Sequence, residues 1–142
     1  MASKKPLLCL DFDGVLHLYT SGWTDVLHIA DGPVPGAFDF IREAMDYFEV
    51  AIYSSRSAHP GGVEAMQKWF ADNGLEAEYR ERLAWPIAKP AAYLSIDDRA
   101  LQFSGSFPEP SRLLDFRPWN KGTPIEAQEF AHLMFEPASE TF

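Results

Sequence analysis

Hydrophobic positions along this chain alternate between short unbroken runs and longer periodic stretches. Leu7-Leu8-Cys9-Leu10 is an apolar run that leads into Asp11-Phe12-Asp13-Gly14-Val15. A run of that kind, bounded by a turn signal, predicts a buried parallel strand. From Pro35-Gly36 onward, Ala37, Phe38, Ile41, Ala44, Met45 and Phe48 recur at helical spacing. They predict a helix with one buried face and a proline near its first turn. Val50-Ala51-Ile52-Tyr53 predicts a second strand, ending in Ser54-Ser55-Arg56-Ser57. A second helix follows His59-Pro60-Gly61-Gly62, carries Val63, Met66, Trp69 and Phe70 on one side, and stops at Asn73-Gly74. Ala91 to Ile96 predicts a third strand, preceded by Lys89-Pro90 and ending in Asp97-Asp98-Arg99.

The remaining stretches carry weaker patterns. Residues 15–33 have no clear period and predict a long loop or small flap, a length that in compact domains often goes with function. Within it, His17 and Trp23 could equally touch a substrate or cover the sheet edge. Leu75 to Pro86 is charged, with one short strand expected around Ala77 to Arg80. Ser104-Gly105 between short apolar pieces suggests a small hairpin over Leu101 to Phe107. Pro108 to Phe116 reads equally as a short helix or a strand. Thr123-Pro124-Ile125-Glu126 matches a capping box, and Ala127, Phe130, Ala131 and Met134 continue it at helical spacing until Pro137. The tail, 137–142, is expected to fray.

Strand, helix, strand in this order implies parallel neighbours joined by a right-handed crossover, hence an α/β chain. The 142 residues suit one domain, 1–142, long enough to bury a core, and 46% hydrophobic content argues against disorder. The net charge of −9 argues against broad electrostatic binding to nucleic acid or anionic membrane. A local basic patch stays open, because ten of the twelve Lys and Arg lie at or after Arg42. The single cysteine, Cys9, sits in an apolar strand and reads as a small buried hydrophobe. The apolar run after Met1 to Pro6 is too brief for a signal peptide or a membrane span. The expectation is a cytoplasmic protein without membrane contact.

Chemistry concentrates at strand ends. Asp11 and Asp13 share side-chain parity if strand geometry continues, and would converge beyond the carboxyl end of the strand, where open α/β sheets bind ligands. Two close carboxylates need a cation or a shared proton, and a hard ion such as Mg²⁺ meets that need. A second acidic strand end, Asp97-Asp98, strengthens the pattern. The crossover places Ser54 level with the first strand's end, where a hydroxyl can donate to an anion; serines also mark plain strand-ending turns. His59 stands alone in a loop, and no zinc site is expected around it.

Asp11-Phe12-Asp13-Gly14, a strand ending in Ser54, then Lys89, then Asp97-Asp98, in that order, resemble the haloacid dehalogenase-like hydrolase superfamily over about Leu7 to Arg99. The resemblance implies a Rossmann-like three-layer domain with a central, mostly parallel sheet. It implies a Mg²⁺-dependent phosphomonoesterase working through an aspartyl-phosphate. Asp11 would be the nucleophile and Asp13 the general acid and base. Ser54 and Lys89 would hold the phosphoryl group, with Ser55 and Arg56 as further substrate contacts. Mg²⁺ would sit on Asp11, Asp97, Asp98 and the backbone carbonyl of Asp13. Arg82 or Arg99 could supply the motif's positive charge in place of Lys89, and Arg56 and Arg99 serve substrate contact or structure with equal weight. About 35 residues separate Gly14 from Val50, and about as many separate Ser54 from Lys89, so neither gap holds a full cap domain. An open site suits a bulky or macromolecular phosphate, or closure by another subunit. Two other readings stand beside this one. The first is phosphate removal from nucleic-acid ends, with Arg80, Arg82, Lys89 and Arg99 as a basic patch. The second is a non-catalytic binding protein on the same fold.

Overall fold

The apolar runs of β1 (Leu7–Leu10) and β2 (Glu49–Ile52) pair in parallel, with Leu10 opposite Ile52. On the other side of β1 lies β3 (Leu94–Ile96), also parallel, with Leu10 opposite Ile96. The sheet order is therefore β2-β1-β3, and β1 is the central strand. These statements come from a computed structural model, which describes residues 4–120. The expected helix 123–136 and the tail lie outside the described residues.

β1 and β2 explain their own burial. Leu8 and Leu10 alternate with Cys9, and Val50 and Ile52 alternate with Ala51, so one parity of each strand enters a single apolar cluster. That cluster also takes Ile41 and Ala44 from α1 (Ala37–Ala44), and Met66, Trp69 and Phe70 from α2 (Gly62–Asp72). Phe12, just past β1, continues the strand parity and is fully buried, edge-on to Trp69 at 5.0 Å. The core stripe read from helical spacing is thus the one that packs. α2 begins against a tight turn. A Cβ on Gly62 would stand 1.8 Å from the Arg56 carbonyl oxygen, so only glycine lets the helix start this close to that backbone.

Three expectations change. Ala77–Arg80 is a short helix, α3, and not a strand. The amides of Tyr79 and Arg80 both donate to the Glu76 carbonyl, closing a local turn that Ala-Glu-Tyr-Arg favours by propensity. The third strand is shorter than the apolar run: only Leu94–Ile96 pair with β1, opposite Leu8 to Leu10. No hairpin forms over 101–107 among the described residues. Residues 110–115, left open between helix and strand, form a 3-10 helix, Pro110–Asp115.

The chain divides into two compact units, Met1–Asp97 and Asp98–Phe142. The first carries the sheet and α1 to α3. In the second, the Phe103 and Phe107 rings meet tilted by 40° with centroids 4.9 Å apart, and Arg99 lies over the Phe116 ring at 6.0 Å. Among the described residues no helix is long and apolar enough to cross a membrane.

Candidate functional site

The parallel register decides what meets at the carboxyl end of the sheet. Asp11 follows Leu10, Asp97 follows Ile96, and those two strand residues are partners. The Asp11 amide extends the ladder by donating to the Ile96 carbonyl at 3.0 Å. Asp11 and Asp97 consequently stand side by side, and Asp98 follows one peptide bond later. Each of the three can offer a carboxylate oxygen, all within 4.8 Å of one another. Asp97 is exposed, and Asp11 and Asp98 are half-buried. The donors are all oxygen, without thiolate or imidazole, which suits a hard divalent cation.

Asp13 is not one of the three clustered carboxylates; its side-chain partners are His17 and Arg56. Strand geometry ends at Leu10, and the Phe12 carbonyl then accepts from the amides of Val15, Leu16 and His17. Gly14 takes φ +84°, which an L side chain resists, so the chain can curl here. The curl turns the Asp13 carboxylate to His17 and Arg56. Arg56 Nε donates to Oδ2 at 2.9 Å and Nη2 to Oδ1 at 3.2 Å, a two-point clamp. His17 Nδ1 lies 2.8 Å from Oδ1. The Asp31 amide donates to His17 Nε2 at 3.0 Å, so Nε2 carries the lone pair and Nδ1 the proton.

Burial pushes the Asp13 carboxyl up, but the hydrogen bonds from His17 and Arg56 and the Arg56 charge outweigh it, and the net shift is downward from 3.8. Asp31 is also lowered, chiefly by hydrogen bonds from the Ser21 hydroxyl and amide. Both groups are depressed in the folded state. Their stabilisation is full above the ordinary carboxylate range and is lost as pH falls through the folded values. Unfolding by denaturant between about pH 7 and about pH 3 should show this loss, and Asp13→Asn should flatten it. An unchanged acid slope in that variant would mean the clamp does not bias the proton.

Arg56 was read as substrate contact or structure. Its side chain is fully buried, and besides Asp13 it donates through Nη1 to the carbonyls of Asp25, Val26 and His28 at 2.7–3.2 Å. The geometry gives it a structural task, tying loop 15–33 to Asp13. His17, 1% exposed, is part of the same buried lattice and does not face a substrate. Ser54 is buried at the end of β2, and its Oγ accepts from the Arg56 amide at 3.1 Å. Ser55 is exposed.

Lys89 is exposed ahead of β3 and, with Asp11 and Asp97, acts electrostatically on the Cys9 thiol, which burial pushes up. Arg82 donates to the Met45 carbonyl at 3.1 Å, at the far end of α1, and Arg80 to the Leu75 carbonyl at 2.8 Å. Both are committed to backbone, away from the acidic cluster. The basic patch expected from Arg80, Arg82, Lys89 and Arg99 therefore loses two members.

No family model, curated protein or solved structure matches this chain. Sequence reasoning missed the Asp13–His17–Arg56 lattice as a unit. One signal existed, the four-residue step from Asp13 to His17; the third member lies 43 positions from Asp13 and gives no local cue.

Proposed function

We propose that this chain is a divalent-metal-dependent phosphomonoesterase of the haloacid dehalogenase-like type, on a Rossmann-like α/β core, working in the cytoplasm. The observation that carries the reading is the gathering of Asp11, Asp97 and Asp98 carboxylates within 4.8 Å at the carboxyl end of parallel strands. These three would hold Mg²⁺, which supplies charge neutralisation for an incoming phosphate dianion. Asp11 attacks phosphorus, the ester oxygen leaves, and an aspartyl-phosphate remains to be hydrolysed. Lys89 adds positive charge near the transferring group.

Asp13 acts mainly in the second half. Its clamp by Arg56 and His17 favours the carboxylate, ready to take a proton from the attacking water. The same clamp disfavours the protonated form that a leaving alkoxide needs. Good leaving groups are therefore expected to react faster in the first half than poor ones.

The test is phosphate release from a panel of phosphomonoesters with chelator, then with Mg²⁺ restored. The expected result is loss of turnover in chelator, recovery with Mg²⁺, and no recovery in Asp97→Asn at equal Mg²⁺. Full activity in chelator, or no turnover across the panel, would overturn the reading.

A further inference from the structure

Trp23 is the exposed aromatic whose surroundings are not those of an ordinary surface residue. Scattered exposed hydrophobics need no explanation. The Trp23 ring, however, packs against a buried charge: Arg56 Cζ stands over it, 4.5 Å from the ring centroid. Arg56 itself is immobilised by Asp13 and by three loop carbonyls. Trp23 nevertheless keeps 47% of its surface in solvent. The ring is thus pinned on one side and open on another, one guanidinium's width from the Asp13 carboxylate.

The loop that carries it is held at both ends. Leu18 donates to the Gly32 carbonyl at 2.9 Å and Val34 to the Leu16 carbonyl at 2.8 Å, closing the neck. Ser21 binds the Asp31 carboxylate through its amide at 2.8 Å and its hydroxyl at 2.6 Å. Asp25 Oδ1 accepts from the amides of Leu27 and His28, fixing the tip. Such anchoring fixes the backbone that carries the ring before a ligand arrives, so less ordering entropy is lost on binding.

We infer that Trp23 is a stacking platform for a planar aromatic group carried by the alcohol part of the substrate, such as a nucleobase or a phenyl ring. This rests on the phosphomonoesterase reading and names its substrate class. A fixed indole takes a flat ring by stacking regardless of hydrogen-bond pattern. The guanidinium behind it gives the ring an electrostatic partner on its inner side. A phosphate at the acidic cluster and a ring on Trp23 would be the two ends of one ligand. Trp23 would set specificity without touching the reacting atoms.

The test uses three esters of primary alcohols: adenosine 5′-monophosphate, 2-phenylethyl phosphate and glycerol 3-phosphate. Their leaving groups are alike, so differences report the ring. The readout is kcat/KM for each ring-bearing ester divided by kcat/KM for glycerol 3-phosphate, in wild type, Trp23→Leu and Trp23→Phe. In Trp23→Leu the ratio should fall roughly tenfold to a hundredfold, carried by KM, as expected for a lost base-stacking contact. Trp23→Phe, with a smaller ring, should fall less. A fall for the adenosine ester alone assigns the platform to nucleobases; a fall for both ring-bearing esters assigns it to flat rings in general. Unchanged ratios overturn the inference, because Trp23 would then only shield Arg56. Circular dichroism checks folding, and Trp23→Gln replaces Trp23→Leu if the latter does not fold.

If wild type hydrolyses none of the three, the phosphatase reading has failed, and calorimetric binding of adenosine 5′-monophosphate and 2-phenylethyl phosphate decides the platform separately. Binding of either that is lost in Trp23→Leu supports it; absence of binding for both in wild type overturns it.

Discussion

Arg56→Met is expected to cost about 3–5 kcal/mol of folding stability, the range seen when one partner of a buried ion pair is removed. The Asp13 carboxylate is 12% exposed and would keep only His17 as a side-chain partner. The carbonyls of Asp25, Val26 and His28 would lose a shared donor at the same time. A domain of this size has about 5–15 kcal/mol in total, so the variant would approach the edge of folding. Much of that cost is an orphaned charge and not the net worth of the pair. Adding Asp13→Asn to Arg56→Met should therefore restore part of the stability, although two native groups are now missing. Chemical unfolding of wild type, both single variants and the double variant measures this directly. A double variant weaker than Arg56→Met by the full cost of Asp13→Asn alone would show the two residues to be uncoupled.

Under the proposed mechanism, Asp11→Asn should remove turnover by roughly 10⁴-fold or more while the fold persists, because the proposed nucleophile is lost. The substitution is nearly isosteric, and Asp11 lies beyond β1 at the solvent end of the sheet, so the core is untouched. It also removes one of the three clustered carboxylates. Metal binding and chemistry are separated by comparison with Asp97→Asn at saturating Mg²⁺. Activity in Asp97→Asn should return partly with excess metal, because that residue is read as a ligand only. Activity in Asp11→Asn should not return at any concentration. Near wild-type rates in Asp11→Asn would exclude an aspartyl-phosphate at this position.

The two acidic strand ends were legible because each follows an apolar run directly, and parallel register then brings Asp11 beside Asp97. Strand parity along Leu8, Leu10 and Phe12, and the helical stripe of Met66, Trp69 and Phe70, needed nothing beyond local periodicity. These are nearest-neighbour properties of the chain, so sequence alone determines them. Ala77–Arg80 was misread as a strand because four residues are too few for a period to declare itself, and a local turn closed on the Glu76 carbonyl.

The fate of Asp13 is a different matter. Its parity with Asp11 suggested a shared cation, and only the tertiary structure shows that His17 and Arg56 are its partners. Beyond the strand the chain curls at Gly14, and a guanidinium arriving from 43 residues further along the chain supplies the counter-charge. The same long-range contact goes with the burial of Arg56, the anchoring of loop 15–33 and the guanidinium over the Trp23 ring. No residue near Arg56 in sequence advertises those partners, because the burial of a charge depends on which carbonyls and carboxylates other segments bring to it. Sequence therefore determined the strands and the acidic ends they deliver; tertiary packing decided which carboxylates cluster and which is answered by a buried arginine.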